Sequence, residues 1–573
     1  MELDANQKTI LEARYLLKDE NGNIVESPEE MCWRVARGVA AAEANFGAAP
    51  KEEAAWAEKF FNIMDGLEFL PNSPTLMNCG RKSGQLAACF VLPLEDNIEQ
   101  IFDTLKNTAM IHKSGGGAGF DFSSIRPKGS LVRSTGNRAS GPVSFMRIFN
   151  AATEEIKQGG MRRGANMGIL RVDHPDIEEF ISSKQEEGAF RNFNISVAVT
   201  DKFLKAAGEG SPWPLSFGGK LFREVPADKL FDSIVRRSHA NGEPGIIFID
   251  TINRANPTPA LGEIRATNPC GEQPLLPYES CNLGSVNLAR MVKGKKVDWK
   301  RLQEVVQLAV RFLDNVIEVN NFPLPQIAAA SLRTRKVGLG VMGLADMLFQ
   351  LRLPYDSKAA LDLSEEIMFF ISKKARESSS ELARLRGTFP AWRQSIYYPN
   401  LPLRNATLTT IAPTGSISAI AGTTSGIEPA FALAYTRTVL ENKKLAVINR
   451  YFIHYLKTEI NPEERGKILN IVNESGMLLD AEGIEPAARE FFKTALEISP
   501  EQHLKMQAAF QKYTDNGVSK TVNLPADTPV DKAAFIFKEA HQMGLKGVTI
   551  YLTGSRSSQP LASPPGCRVC SFA

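Results

Sequence analysis

Apolar and polar positions change their rhythm once along this chain, near residue 69. Before that point, residues 1–70 carry helical signals. Ser27-Pro28-Glu29-Glu30 reads as an N-cap with proline at the first helical position, and the alanine-rich stretch behind it has high helix propensity. From residue 69 onward, short apolar runs at 87–92, 245–250, 285–288 and 408–411 are punctuated by Gly, Pro and Asn, as strands are. Helical patterns lie between them at 97–112, 175–184, 301–320 and 357–386. Strands separated by helices of this length predict an α/β architecture with largely parallel strands. No repeat with a period of about 20–50 residues is evident. The stretch from Ser555 is rich in Ser and Pro, poor in apolar residues, and reads as a flexible tail.

Size and composition narrow the function classes. At roughly 150 residues per domain, 573 residues suggest three or four units, although one barrel can absorb far more. The 67 basic and 64 acidic residues leave +3, no footprint for duplex nucleic acid. The N-terminus has no apolar signal core, and the most apolar long stretch, 408–422, is interrupted by Pro413 and Gly415. A cytoplasmic protein with no membrane partner is expected. Seven cysteines in such a chain point to catalysis or redox chemistry rather than a disulfide framework. Six histidines, none paired at i,i+4, predict no histidine metal site.

The segment Asn268-Pro269-Cys270-Gly271-Glu272 sets a thiol between an amide and a carboxylate at alternating positions. In extended backbone all three side chains would share one side. The competing reading is a turn, because Asn-Pro and Cys-Gly both favour loops. Cys89 lies in an apolar run and Cys281 just before one, so pairing across neighbouring strands is geometrically open. Two glycine-bearing segments, 114–120 and 412–418, could meet phosphates; the second follows a strand-like run and opens a helix, where backbone N–H groups favour an anion. Between them, Gly160-Met161-Arg162-Arg163-Gly164 joins two arginines to flexible glycines. Cys567-Arg568-Val569-Cys570 is either half of a zinc site or a redox pair on a flexible arm. Zinc takes four ligands and no second pair is present, which favours the redox reading.

In order along the chain, Leu70-Pro71-Asn72-Ser73-Pro74-Thr75, Ala88-Cys89, the glycines of 114–119, the loop 158–168, the Cys270 segment and Pro413-Thr414-Gly415-Ser416-Ile417 resemble the catalytic chain of ribonucleotide reductase over roughly residues 65–556. The resemblance implies a ten-stranded α/β barrel of two five-stranded halves, with Cys270 on a central finger loop. The expected division is a helical region over 1–70, the barrel over 71–555 with an allosteric segment around 96–168, and a redox tail over 556–573. It also implies a division of labour. A thiyl radical on Cys270 takes the 3′-hydrogen of a ribonucleotide, Glu272 is the base, and Asn268 holds the hydroxyls. Cys89 and Cys281 supply reducing equivalents and end as a disulfide. Ser73, Ala88, Gly117, Pro269, Gly271, Pro413, Thr414, Gly415, Ser416 and Ile417 position ribose and phosphates. Cys567 and Cys570 reset the pair, themselves reduced by thioredoxin or glutaredoxin. Asp96 and Arg126 contact a deoxynucleoside triphosphate effector, and Arg162 and Arg163 relay its identity. A homodimer is compatible with the resemblance; the sequence leaves monomer and dimer open.

The resemblance also discriminates among classes. Chains that rely on a separate metal-radical subunit carry adjacent tyrosines near the C-terminus, whereas Tyr551 stands alone here. The eleven-residue step from Cys270 to Cys281 resembles the adenosylcobalamin-dependent class, no glycyl-radical signature is visible, and too few residues precede the barrel for an ATP cone. The expectation is an adenosylcobalamin-dependent ribonucleoside diphosphate or triphosphate reductase. The alternative is a class I catalytic subunit needing a radical partner. A regulatory protein that merely binds nucleotides would not need Cys89, Cys270, Cys281, Asn268 and Glu272 together.

Overall fold

The helix signals of the first 70 residues are used as written. In α1 (Ala5–Arg14) Asp4 and Gln7 form a reciprocal cap, and in α2 (Pro28–Ala40) Ser27 and Glu30 do the same with Pro28 at the first position. With α3 (Pro50–Asp65) these helices bury Met31, Val35, Val39, Phe60 and Met64 in one apolar core. The structure is a computed structural model and describes residues 1–573 except 83, 133–135, 159–161, 440–442, 479–482, 557–560 and 563–573; for 157, 158, 162, 163, 439, 561 and 562 it describes the backbone alone.

β1 (Phe69–Pro71) leads from these helices into a ten-stranded sheet. Five strands then run parallel in sequence order: β2 (Cys89–Val91), β3 (Gly117–Asp121), β4 (Asn166–Arg171), β5 (Phe193–Val199) and β6 (Gly245–Phe248). The helices α4 (Ile98–Lys113) and α5 (Pro142–Glu155) lie in the crossovers, as parallel pairing requires. The second half begins with β7 (Ser280–Asn287), parallel to β8 (Val337–Met342), and ends with β9 (Thr521–Leu524) parallel to β10 (Gly547–Leu552). Between β8 and β9 the segment 408–411 makes single bridges, Thr409 to Leu339 and Ile411 to Val518. Two antiparallel seams close the ring, β6 on β10 and β2 on β7. β1 occupies the remaining length of the same β7 edge. With the bridged segment 408–411 taken as the fifth position of the second half and β1 set aside, the ring is the ten-stranded barrel of two five-stranded halves. Every residue of β7 and β8 is buried, as expected for strands covered on both faces.

The strand expected at 408–411 is reduced to bridges for a visible reason. The Asp515 carboxylate accepts from the Leu408 and Thr409 N–H groups at 2.8 and 3.3 Å, taking donors a ladder would use. A buried ion cluster ties the helical region to the barrel. Glu43 meets Arg311 of α6 (Trp299–Val319) at 2.6 Å and Arg386 of α7 (Lys358–Arg386) at 2.7 Å; Asp314 meets Arg335 and Arg386 at 2.7 and 2.9 Å. The guanidinium of Arg335 and its neighbours hold the Asp314 carboxyl below the usual carboxylate range against the opposing effect of burial.

Candidate active site

The Cys270 segment is the tip of a hairpin. Ala266–Thr267 pairs antiparallel with Pro274–Leu275, and the backbone between them turns back on itself. Asn268 locks the turn three ways: its N–H donates to the Gln273 carbonyl at 3.2 Å, its Oδ1 accepts from the Gln273 N–H at 2.9 Å, and its carbonyl accepts from the Gly271 N–H at 3.0 Å. Gly271 adopts φ +80°, a left-handed conformation that costs glycine nothing. The shared face that extended backbone would give is therefore absent. Cys270 is exposed, whereas Asn268 and Glu272 are buried.

Both halves of the barrel clamp this finger, and glycines make the approach possible. A Cβ on Gly119 of β3 would stand 1.7 Å from the Thr267 carbonyl oxygen, and one on Gly117 would stand 2.8 Å from the Pro269 ring. On the opposite side, a Cβ on Gly517 would lie 2.7 Å from the Gly271 carbonyl oxygen. Asn194 of β5 donates to the Pro269 carbonyl at 2.8 Å. The Gly517 N–H and the Thr410 hydroxyl both donate to the Glu272 carbonyl, at 2.8 and 2.9 Å. The glycine run at 114–120 thus serves close packing of the finger on β3.

Cys89 and Cys281 are directly opposed across the antiparallel seam between β2 and β7. Opposed residues in such a pair have Cα atoms roughly 4.5–5.5 Å apart, inside the range a disulfide spans. The Asn268 amide donates to the Cys89 sulfur at 3.0 Å, and that sulfur lies 4.0 Å from Glu272 Oε1. Finger and thiol pair therefore form one cluster. Burial pushes both thiols well above the ordinary range; the Glu272 carboxylate adds to this at Cys89, while Lys336 opposes it at Cys281. Lys336 is itself buried and ion-paired with Glu279 at 2.6 Å.

Cys270 lies in the wall of a cavity of about 460 Å³ bounded by β5, β6, β10 and the segment 517–521; Pro413, Phe431, Lys546 and Tyr551 also line it. Burial lowers the Lys546 pKa to about 8. Pro413 brings the phosphate-loop candidate to the same cavity, with Thr414 at φ +54° and its hydroxyl accepting from the Gly426 N–H at 2.7 Å. Ser416 immediately precedes the short helix Ile417–Ala421. Ser73 follows β1, and its hydroxyl meets the Tyr15 hydroxyl at 2.9 Å. Ala88 and Gly117 are bonded to each other, the Gly117 N–H donating to the Ala88 carbonyl at 2.9 Å. Asp96 and Arg126 form an ion pair at 2.7 Å, and Asp96 also accepts from the Arg126 N–H. Backbone pairing joins 157–158 to 162–163, but the side chains of Arg162 and Arg163 lie outside the described residues, as do Cys567 and Cys570.

Asn194, Thr410, Gly517 and Lys336 were not singled out by the sequence. Asn194 had a signal, an amide inside the mostly apolar run of β5. Gly517 sits in an ordinary turn sequence, and nothing local marks it.

The family model described as ribonucleotide reductase, all-alpha domain, matches residues 1–84, and the model described as ribonucleotide reductase, barrel domain, matches 87–402 and 399–551. The chain is 48% identical over 568 residues to the vitamin B12-dependent ribonucleoside-diphosphate reductase of Mycobacterium tuberculosis (strain CDC 1551 / Oshkosh), covering 97% of this chain and 80% of the relative. It is 45% identical over 628 residues to the Thermoplasma acidophilum protein of the same name, covering 98% and 80%. The solved Actinobacillus ureae class Id ribonucleotide reductase alpha subunit superposes with a TM-score of 0.78 at 25% identity, covering 96% of this chain and 97% of that one.

Proposed function

The chain belongs to the ribonucleotide reductase family, and from that premise we infer that it is a vitamin B12-dependent ribonucleoside-diphosphate reductase. The observation that carries the reading is the single cluster in which the finger bearing Cys270 presents Asn268 and Glu272 to the cross-strand thiols Cys89 and Cys281. Replacing a ribose 2′-hydroxyl by hydrogen is beyond side-chain acid–base chemistry alone, so a radical cofactor must begin it. Bound adenosylcobalamin supplies a carbon-centred radical able to take hydrogen from a thiol. The residues present fit the adenosyl moiety of such a group: Cys270 is exposed in the wall of a cavity of about 460 Å³, the size range of a drug-sized ligand, and Gly245, Gly517 and Gly547 leave backbone at its surface.

The remaining steps are assigned to this chain's own residues. Cys270 carries the radical, removes the 3′-hydrogen and returns it to C3′ after reduction at C2′, which restores the radical. Glu272 accepts the 3′-hydroxyl proton. Asn268, fixed by three turn hydrogen bonds, orients both the Cys89 sulfur and the substrate hydroxyls. Water leaves C2′, and Cys89 and Cys281 give up two electrons and two protons as their disulfide forms. Ser73, Ala88, Gly117, Pro269, Gly271 and 413–417 hold ribose and phosphates. Cys567 and Cys570 return the pair to the dithiol by exchange, with thioredoxin or glutaredoxin as the external reductant.

Asp96 and Arg126 are assigned to a deoxynucleoside triphosphate effector, relayed through Arg162 and Arg163. A homodimer is proposed through α4 and α5, which expose Ile98, Phe102, Met110 and Ile148. No helix among the described residues is long and apolar enough to cross a membrane, and the proposed setting is the cytoplasm. The deciding assay is CDP reduction by the purified chain with dithiothreitol, with and without adenosylcobalamin. Turnover only with the cofactor is expected. A requirement for a separate metal-radical subunit would overturn the reading.

A further inference from the structure

Beyond the barrel, strand Ala434–Val439 pairs antiparallel with Lys443–Ile448 as a two-stranded hairpin. Its other edge is occupied as well: Thr436 pairs with Ala562 and Arg437 with Leu561, so the C-terminal segment adds a third strand. The same segment is fixed a few residues earlier. Arg556 donates through Nε to the Asn241 carbonyl at 2.9 Å and through Nη2 to Glu243 Oε2 at 3.1 Å. Glu243 in turn is ion-paired with the partly buried Lys184. The two fixed points belong to two neighbouring cavities. Arg556 lines the cavity that holds Cys270, and Arg437 lines a second one of about 280 Å³. Phe431, Thr521 and Asn523 stand in the wall of both.

We propose that the outer edge of Ala434–Val439 is a docking site for the chain's own C-terminal segment, which parks the Cys567/Cys570 arm between exchanges. The importance of that arm rests on the redox reading above; the docking itself rests on backbone pairing. Main-chain pairing to a free strand edge supplies affinity without a dedicated side-chain pocket. The sequence keeps the contact short. Pro560, Pro564 and Pro565 carry no N–H, so the sequence offers few further ladder donors on either side of the paired residues. A strand this short pairs reversibly.

Docking also sets reach. At about 3.4 Å per extended residue, Cys567 can travel about 17 Å from Ala562 when docked, and about 37 Å from Arg556 when released. Docking therefore limits the dithiol to the shorter reach, and release is required for the longer excursion.

Hydrogen–deuterium exchange tests this on the full chain, on Leu561→Pro/Ala562→Pro, and on a chain ending at Arg556. Exchange across 434–439 should be at least tenfold slower in the full chain than in either variant. A second measurement uses a Cys567→Ser/Cys570→Ser background. There Thr436→Cys/Ala562→Cys should oxidise to a linked pair, while Lys444→Cys/Ala562→Cys, on strands separated by Ala434–Val439, should link at least tenfold more slowly. Equal exchange in all three chains, or equal linking of both pairs, would overturn the docking site. Cys567→Ser/Cys570→Ser alone should keep the slow exchange. If that variant also turns over normally with thioredoxin, the redox reading of the arm fails while the docking site stands.

Discussion

Cys270 and Glu272 are two residues apart in the chain and face opposite surroundings, one exposed in a cavity wall and one buried beside Cys89. Removing the first deletes a radical carrier and no binding group. Cys270→Ala should therefore abolish reduction while nucleotide affinity, read by equilibrium dialysis, stays near the parent's; turnover within tenfold of the parent, about 1.4 kcal/mol in barrier, would refute the role. Glu272→Gln keeps shape and loses the base, so kcat should fall far more than KM rises; the reverse pattern would reassign Glu272 to binding. The buried thiols give a pH prediction with a definite sign. Raised pKa values keep Cys89 and Cys281 protonated at pH 8, so iodoacetamide should label them far more slowly than the exposed Cys270, with rates climbing as pH rises. The stability this neutral state contributes is present below the ordinary thiol value, about 8.5, and is lost as pH passes the raised one. The reactive types were legible at this scale because the Cys270 segment occurs with Cys89, Cys281 and the other motifs in the order of a known family. Their facing was legible only through the turn alternative that Asn-Pro and Cys-Gly offered; the contact that carries Asn268 to Cys89 joins residues far apart in the chain.

The finger hairpin is held by absences of side chains more than by attractions. Gly119→Ala places a methyl 1.7 Å from the Thr267 carbonyl oxygen, an overlap only backbone movement can relieve. Overpacking of this kind costs on the order of 1–3 kcal/mol or more. The variant should melt several degrees lower by calorimetry and lose most turnover. Gly208→Ala, with nothing within 4 Å and a helical position in Asp201–Glu209, should be neutral or slightly stabilising. The helices at 98–113, 299–319 and 358–386 were readable from periodicity to within a few residues, because their amphipathic faces are local facts. The segment 408–411 was readable only as apolar. That its N–H groups go to Asp515, more than a hundred residues away, is no property of the segment itself.

At the scale of the whole molecule, the two halves are each parallel and meet only at antiparallel seams, an arrangement that alternating strands and helices could suggest but not order. The resemblance supplied the ring; strand pairing supplied its closure. The tail makes the test belonging to this scale. Cys567→Ser/Cys570→Ser should spare one turnover of the pre-reduced enzyme and fail in repeated turnover with thioredoxin, while dithiothreitol restores cycling; normal thioredoxin cycling would remove the tail from the circuit. The seams themselves join residues far apart in the chain, Cys89 to Cys281 and Ile246 to Val548. Contacts of such separation are slow to form, because loop closure must precede them. The finger needs Gly119 from the first half and Gly517 from the second before it can seat. During synthesis, a chain still attached to the ribosome at residue 500 has made Cys89, Cys270 and Cys281 and the β2–β7 seam that opposes two of them, but it lacks Gly517 and Val548. The cell therefore meets the finger clamped from both halves only once the barrel is nearly complete.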